Sequence, residues 1–449
     1  MENNTKQIVF IGGGYASIWA YRSVVEELLI EMMMGRVRIQ VICPEEFHFF
    51  HGWTAESLTG IIQDQNRMSP LAEIFKHAEI IKGKAVHIDT VSRVVQVNMN
   101  NGTHLTVTYD HLFMGMGSTD DSSIDGLSDY AYQLKSHTGY LRCKMRIQFL
   151  IRQAAGADAV AAQKLLRFTI AGAGFTGVEI AANLAEMLQA AKKQFPTLRK
   201  IKPTIQLINS REFLLPGLQN SLQRIRKYTE KILRLYGIEI LNRVRICRVS
   251  SQGVHLSDGS FIESRMVIST IGQCRNLING TQNMERDGEK RIITDSFLRI
   301  KDHQDIWGAG DTVRVNHAKT NKACTSNALW AIKQGGHAGK NIARAILSQS
   351  LKPFTYKGLG QCASLGIGKG MGEIYGIPFT GWPAWIMRWL FFQHFMPSKK
   401  IMWREISDWF RLLMNRKRNQ IKGIPEEMNP IFVPDRMKPG NFNQLVYQN

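Results

Sequence analysis

The chain carries two glycine-rich turns, each fed by a short β-rich run and followed by a helical pattern. Their pairing constrains the fold more than any other feature. The first reads Ile8-Val9-Phe10-Ile11-Gly12-Gly13-Gly14-Tyr15-Ala16-Ser17, and the second Phe168-Thr169-Ile170-Ala171-Gly172-Ala173-Gly174-Phe175-Thr176-Gly177-Val178-Glu179. A strand that turns sharply into a helix aims backbone N–H groups and the positive helix end at a pyrophosphate. One such turn also occurs simply to reverse a chain. Two in one chain suggest two dinucleotides bound side by side, and adjacent dinucleotides suggest electron transfer between them.

The turns differ in quality. Gly172, Gly174 and Gly177 satisfy G-x-G-x-x-G in full, with strand before and helix after. The N-terminal turn keeps Gly12 and Gly14 but has Ser17 where a third glycine would allow close helix–strand packing. Serine is small, so the turn survives with its helix slightly displaced. An acidic residue near the end of the next strand ordinarily bonds a ribose hydroxyl. After the first turn Cys43 falls there, with Glu45 and Glu46 just downstream; after the second it is Asn209, followed by Arg211. Asparagine still bonds a hydroxyl without repelling a 2′-phosphate, and Arg211 would attract one. The second site is therefore read as open to NADPH as well as NADH, against the plain alternative that Arg211 is an ordinary exposed arginine.

A third signal is Asp305-Ile306-Trp307-Gly308-Ala309-Gly310-Asp311, a strand-like run ending in small residues and a carboxylate. Alone it is a common turn composition. With the two turns, and with Leu112-Phe113-Met114-Gly115-Met116-Gly117-Ser118 and Val267-Ile268-Ser269-Thr270-Ile271-Gly272, the chain resembles the two-dinucleotide flavoproteins (the pyridine nucleotide-disulfide oxidoreductases). Within them it is most similar to the type II NADH dehydrogenases, single-chain NADH:quinone oxidoreductases. The resemblance runs from residue 6 to 422 and implies an enzyme with FAD as cofactor and NADH or NADPH as substrate. It implies that FAD is bound by Gly12, Gly14, Ser17, Glu45, Gly117, Gly310 and Asp311, the last holding the ribityl chain. It assigns NAD(P)H to Gly172, Gly174, Gly177, Glu179, Asn209 and Gly272. Glu179 is the residue expected beside the reacting rings, positioning the hydride donor, because the flavin supplies the chemistry and the protein supplies orientation.

The fold class expected is α/β: two Rossmann-like dinucleotide-binding domains, one nested in the other, plus a C-terminal amphipathic helical membrane-binding segment. The flavin domain takes residues 1–125 and returns at 290–369, around a nicotinamide domain at 126–289. A membrane-associating segment at 370–422 and an extended tail at 423–449 follow. A chain of 449 residues is too long for one ordinary core, which agrees. Six cysteines, at 43, 143, 247, 274, 324 and 362, form no C-x-x-C or C-x₄-C pair. A redox disulfide, an iron–sulfur cluster or a zinc site is not expected, and no metal is assigned. No charged start or apolar signal core precedes the first strand, so the chain is expected to stay in the cytoplasm.

The net charge of +20 asks for a partner. No nucleic-acid fold signature accompanies it, and no nucleic-acid partner is expected. Some of the charge gathers near the C-terminus, where five of the nine tryptophans fall: Trp382, Trp385, Trp389, Trp403 and Trp409. Trp382, Trp385 and Trp389 follow helical spacing, and a second helix would show Trp403, Ile406, Phe410 and Leu413 on one side. Lys399, Lys400, Arg404, Arg411, Arg416, Lys417 and Arg418 surround them. The longest apolar run is broken by Arg388 and falls short of the ~20 residues a spanning helix needs. Aromatic and aliphatic residues opposite lysines and arginines suit helices lying in an anionic interface. The expectation is a peripheral enzyme on the cytoplasmic side of the cell membrane, its five tryptophans meeting lipid. The alternative cover for these helices is the protein's own core, or a second subunit in a homodimer.

The chain departs from the family at the acceptor side. Where the family has Ala-Gln-x-Ala-x-Gln, this sequence has Ala328-Leu329-Trp330-Ala331-Ile332-Lys333, with Leu329 and Lys333 at the quinone-side glutamines. Leucine cannot bond a quinone carbonyl, whereas Lys333 can donate to one. Two other readings stay open. A sulfide:quinone oxidoreductase would need cysteines beside the flavin, with Cys324 the one candidate ahead of this helix. A non-catalytic flavoprotein-fold binding module would show no turnover.

Overall fold

The computed structural model describes residues 5–121, 123–219, 222–318 and 320–414. The expected tail at 423–449, and Arg416, Lys417 and Arg418, lie outside the described residues.

The run Lys6–Ile11 pairs in parallel with Val37–Ile42, Lys6 opposite Val37 through Ile11 opposite Ile42. On its other side lies His111–Met114, with Ile8 opposite His111. Ile306–Gly308 closes that edge, and Glu79–Ile81 closes the far one. Ile8, Val9 and Phe10 are wholly buried, as a sheet covered on both faces requires. A second parallel sheet has the strand order Ala131–Gln133, Met266–Ser269, Arg167–Ala171, Thr204–Asn209, Ile238–Asn242. Every strand of this second sheet falls in the chain between two strands of the first. One doubly wound unit is therefore nested in the other, each with its glycine turn at the end of the central strand.

Two helices of the first unit, Tyr15–Met33 and Ala328–Ile346, cross at backbone contact. A Cβ added to Gly335 would lie 2.2 Å from the carbonyl oxygen of Ala16, and one added to Gly339 the same distance from that of Ala20. Small residues four apart on both helices thus bring the N-terminus of the later helix beside the first turn. An antiparallel sheet of Gly360–Ser364, Gly370–Ile374 and Ile377–Gly381 then leads into two foot helices, Trp382–Phe395 and Lys399–Met414. Pro383 stands in the first turn of the earlier one, where its missing N–H costs nothing. Among the described residues no helix is long and apolar enough to cross a membrane.

Candidate active site

Both glycine turns end in a helix with no side-chain cap. Gly12 and Gly172 hold φ of +99° and +101°, the left-handed backbone the reversal needs, and an added Cβ would strike the neighbouring chain in each case. Gly14 and Gly174 cap the two helices in extended conformation, and a Cβ built on either meets nothing within 4 Å. Each helix therefore presents its first N–H groups, and the positive end of its dipole, to open space. That is a cradle for a diphosphate, and both sites fit one.

The turns differ at the third small position. A Cβ on Gly177 would fall 1.8 Å from the carbonyl oxygen of Gly172 and 3.0 Å from Thr270 Oγ1, so nothing larger than glycine fits that seat. Thr270 Oγ1 donates to the carbonyl of Ala171 at 2.8 Å. In the first turn Ser17 is fully buried, and its Oγ lies 2.2 Å from where a Cβ on Gly115 would stand. The room for serine comes from the glycine at the exit of strand His111–Met114.

Beside the first turn, the segments around residues 117 and 311 are joined by side-chain bonds. The Gly117 amide donates to Thr312 Oγ1 at 2.8 Å, and the Gly310 amide to Gln334 Oε1 at 2.9 Å. The Asp311 carboxylate accepts from Ser118 Oγ at 2.7 Å and lies 3.8 Å from Lys135 Nζ. Burial lowers the Lys135 ammonium, and Asp311 and Asp120 push back. A small open cleft is lined here by Gly310, Asp311, Cys324, Asn327, Trp330 and Gln334, at the N-terminus of the Ala328–Ile346 helix.

The remaining nucleotide-side positions are placed as follows. Glu45 is exposed just past strand Val37–Ile42 and accepts from Cys43 Sγ at 3.2 Å. Burial and then Glu45 push the Cys43 thiol up to about 12. Asn209 is buried, and its amide is spent within the sheet: Nδ2 donates to Asn242 Oδ1 at 2.8 Å, and Oδ1 accepts from the Arg211 amide at 3.2 Å. That tie leaves Asn209 less free for a ribose hydroxyl than its place at the strand end suggests. Gly272 holds φ of +70° against Asp121, whose Oδ2 lies 2.2 Å from where a Cβ would stand.

The two nested units and the foot meet at Arg388. Its guanidinium is buried, 2.8 Å from Glu56 Oε1 and 2.8 Å from Glu179 Oε1, and donates to the Gly52 carbonyl at 2.9 Å. The Phe392 ring lies 4.4 Å away. Glu179 also accepts the Ser364 amide at 2.8 Å. Burial pushes its carboxyl up to about 7, Arg388 pulls it down, and Glu56 pushes it up again. Two carboxylates share one buried cation, so a charge deficit is built into the site.

The sequence profile of the pyridine nucleotide-disulphide oxidoreductases matches residues 6–332. The chain belongs to this family. It is 26% identical over 399 residues to the type II NADH:quinone oxidoreductase of Staphylococcus haemolyticus (strain JCSC1435), covering 86% of this chain and 94% of that one. With the enzyme of the same name from Staphylococcus aureus (strain NCTC 8325 / PS 47) it shares 23% over 397 residues, again 86% and 94%. Among solved structures, NDH2 from Plasmodium falciparum in complex with NADH superposes with a TM-score of 0.81 at 13% identity. The superposition covers 92% of this chain and 99% of that one, and at this identity it speaks for the fold alone.

For a member of this oxidoreductase family the foot corrects one expectation. Arg388, read as an interruption of an apolar run, is the buried centre of the clamp. The five tryptophans do not form one outward set. Trp382 and Trp403 are exposed (63% and 66%), whereas Trp409 is buried against Trp53 and Trp385, ring centroids 5.7 and 5.2 Å apart. Trp385 and Trp389 are half-buried in the same cluster. Trp409 is thus excluded from lipid contact, because its helix turns that face to the protein. Leu329 is buried in this cluster too, while Lys333 is exposed, with Tyr356 and Phe395 rings 5.8 and 5.9 Å from its Nζ. Sequence reasoning missed Glu56, Gln334 and the role of Arg388. Only the charge on Arg388 inside an apolar helix signalled any of them.

Proposed function

We propose that the chain is an FAD-dependent NAD(P)H dehydrogenase that passes electrons on to a quinone at a lipid surface, without moving protons across it. The observation that carries this reading is the convergence of the two nested units, through Glu56 and Glu179, and of the foot on one buried guanidinium. Gly12, Gly14 and Ser17 would hold the FAD diphosphate, Glu45 the adenosine ribose, and Gly117, Gly310 and Asp311 the ribityl chain. Gly172, Gly174 and Gly177 would hold the nicotinamide dinucleotide, with Asn209 and Gly272 beside it. Bound FAD supplies reversible two-electron acceptance. The protein's part is to place the donor, through Glu179 in the grip of Arg388, and to keep water out.

The foot supports the lipid surface by an inverted pattern. Its helices bury Arg388, Gln393, Glu405 and Asp408 and expose Trp382, Leu390, Trp403 and Phe410. Helices that turn charge inward and aromatics outward, near Lys399, Lys400 and Arg404, suit an anionic interface on the cytoplasmic side. A second copy of the chain is the competing cover for that face. Lys333, exposed where foot and helix meet, is placed to donate to an acceptor carbonyl, with Leu329 as its apolar neighbour one turn earlier. A sulfide reaction has less support. The Cys324 thiol is buried and pushed up to about 11, chiefly by burial, whereas an attacking sulfur must be a thiolate.

Anaerobic stopped-flow of the detergent-solubilised protein tests the reading. Flavin bleaching by NADH or NADPH, then recovery with a short-chain quinone, is the expected course. Bleaching without recovery overturns the acceptor. A flavin that neither nucleotide reduces, but sulfide does, overturns the donor; one that nothing reduces leaves the binding-module reading.

A further inference from the structure

The foot is not the only place where cations gather on one face. The nucleotide unit carries the helix Gln223–Leu235, which buries Ile225, Thr229, Ile232 and Leu233. One of its cations, Arg226, turns inward too, donating to the Leu214 carbonyl at 3.1 Å and to that of Leu218 at 2.6 Å. The other four face out. Arg224, Lys227, Lys231 and Arg234 stand three, four and three positions apart, which places them on one stripe, and all are exposed. Glu230 is the one acid of this helix, and among the described residues none of the four cations makes an ion pair. Like charges stacked at these spacings repel one another, so the helix bears a cost that nearby anions would relieve.

Position says which anions. The helix lies against strands Gly370–Ile374 and Ile377–Gly381, which lead into the foot. A Cβ on Gly381 would stand 3.9 Å from Tyr228 Oη, and the next residue is exposed Trp382, where the foot begins. Tyr228 borders the basic stripe, and Leu235, 71% exposed, projects on the same border. Cations flanked by an aromatic and an aliphatic residue, and continuous with an apolar foot, match the phosphates and acyl edge of an anionic bilayer. Nucleic acid would answer the cations and leave Leu235 and Trp382 bare.

Resting on the lipid-surface reading of the foot above, we propose that the stripe Arg224, Lys227, Lys231 and Arg234 docks on anionic lipid headgroups. The surface then holds the nucleotide unit directly, and not only through the foot. The foot supplies apolar insertion. The stripe supplies charge, and with it a dependence on lipid composition and salt.

Vesicle co-sedimentation of the full FAD-loaded chain tests this, with phosphatidylcholine alone and with about one-third phosphatidylglycerol. The stripe variant combines Arg224→Gln, Lys227→Gln, Lys231→Gln and Arg234→Gln. A control combines Arg38→Gln, Lys84→Gln, Lys164→Gln and Arg245→Gln, exposed cations scattered over both units. Each cation near an anionic surface is worth roughly fivefold in affinity, so the stripe variant should bind anionic vesicles at least about tenfold more weakly. It should bind neutral vesicles as wild type does, and the control should lose about twofold or less on either. Unchanged affinity of the stripe variant for anionic vesicles overturns the proposal. Equal loss in the control makes the effect one of net charge and overturns it too. Should the stripe variant not fold, wild type decides: binding to anionic vesicles that ignores salt, or that matches binding to neutral ones, overturns the stripe alone. Wild type that binds neither vesicle overturns the surface reading of the foot, and the proposal with it. Wild type that prefers duplex DNA to anionic vesicles overturns the lipid assignment.

Discussion

The two glycine turns solve one packing problem with the small and large partners exchanged. In the second, the helix supplies the small residue, Gly177, closed in by the Gly172 carbonyl at 1.8 Å and by Thr270 Oγ1 of the neighbouring strand exit at 3.0 Å. In the first, the helix supplies Ser17 and the strand exit supplies Gly115. What the fold requires is close approach of helix and strand, and either wall can give way. The third glycine of the fingerprint is thus one half of a pair, and its absence at position 17 is answered at position 115.

The two turns keep one frame while their units stay joined, and the strongest perturbation removes the group that joins those units. Arg388→Met leaves Glu56 and Glu179 buried without a cation. A loss of about 3–5 kcal/mol in unfolding free energy is expected, seen as a lower denaturant midpoint with weaker retention of both nucleotides. Next comes Gly177→Ala, whose methyl group would meet the backbone of Gly172 and cannot be relieved by a rotamer. It should cost about 1–3 kcal/mol and weaken NADH binding by calorimetry while FAD stays bound. Gly115→Ala meets a side-chain oxygen instead and should cost about 1 kcal/mol, read as faster FAD loss. Adding Ser17→Gly should cancel most of that in a double-mutant cycle; additive effects would refute the paired explanation.

A pH effect is confined to the second turn's helix. Glu179 holds its proton up to about pH 7, above the ordinary 4.5 of an unfolded chain. The stability this contributes is complete below 4.5 and is lost as pH rises through 7. Melting temperature should fall over that window in wild type, and Glu179→Gln should flatten the slope. The least effect is expected at Arg211, exposed beyond the second sheet. Arg211→Ala should raise the KM for NADPH by about threefold, the worth of an exposed ion pair, and leave that for NADH alone.

Both turns, the nested order of the sheets and the family were legible from local signals. Strand, turn and helix follow each other within about a dozen residues and repeat. The foot was legible as amphipathic but not in its facing. Spacing places Trp385, Trp389 and Trp409 on stripes without saying which stripe the protein covers. That choice is made by Trp53 and Glu56, more than 300 positions earlier in the chain (332 between Glu56 and Arg388). Arg388 looked like a flaw for the same reason, since its two carboxylates lie in other units. Asn209 kept its predicted place at the strand end, and only the structure reveals that Asn242 already occupies its amide. Composition carries residue identities, whereas these roles are set by partners brought together across the fold.

The backbone contact between Tyr15–Met33 and Ala328–Ile346 also orders events at the ribosome. At about 5–20 residues per second, Gly335 is made roughly a quarter of a minute to a minute after Ala16. Through that interval the first helix lacks its partner and strand His111–Met114 has an open edge, because Ile306–Gly308 has not yet emerged. The inserted unit is contiguous in its sheet, but its core also takes Ala363, Leu365 and Met371 from the later antiparallel sheet, so it is completed late as well. The part written first is finished last, and a translational pause or truncation before residue 306 would leave the apolar open edge of the N-terminal half for chaperones to hold.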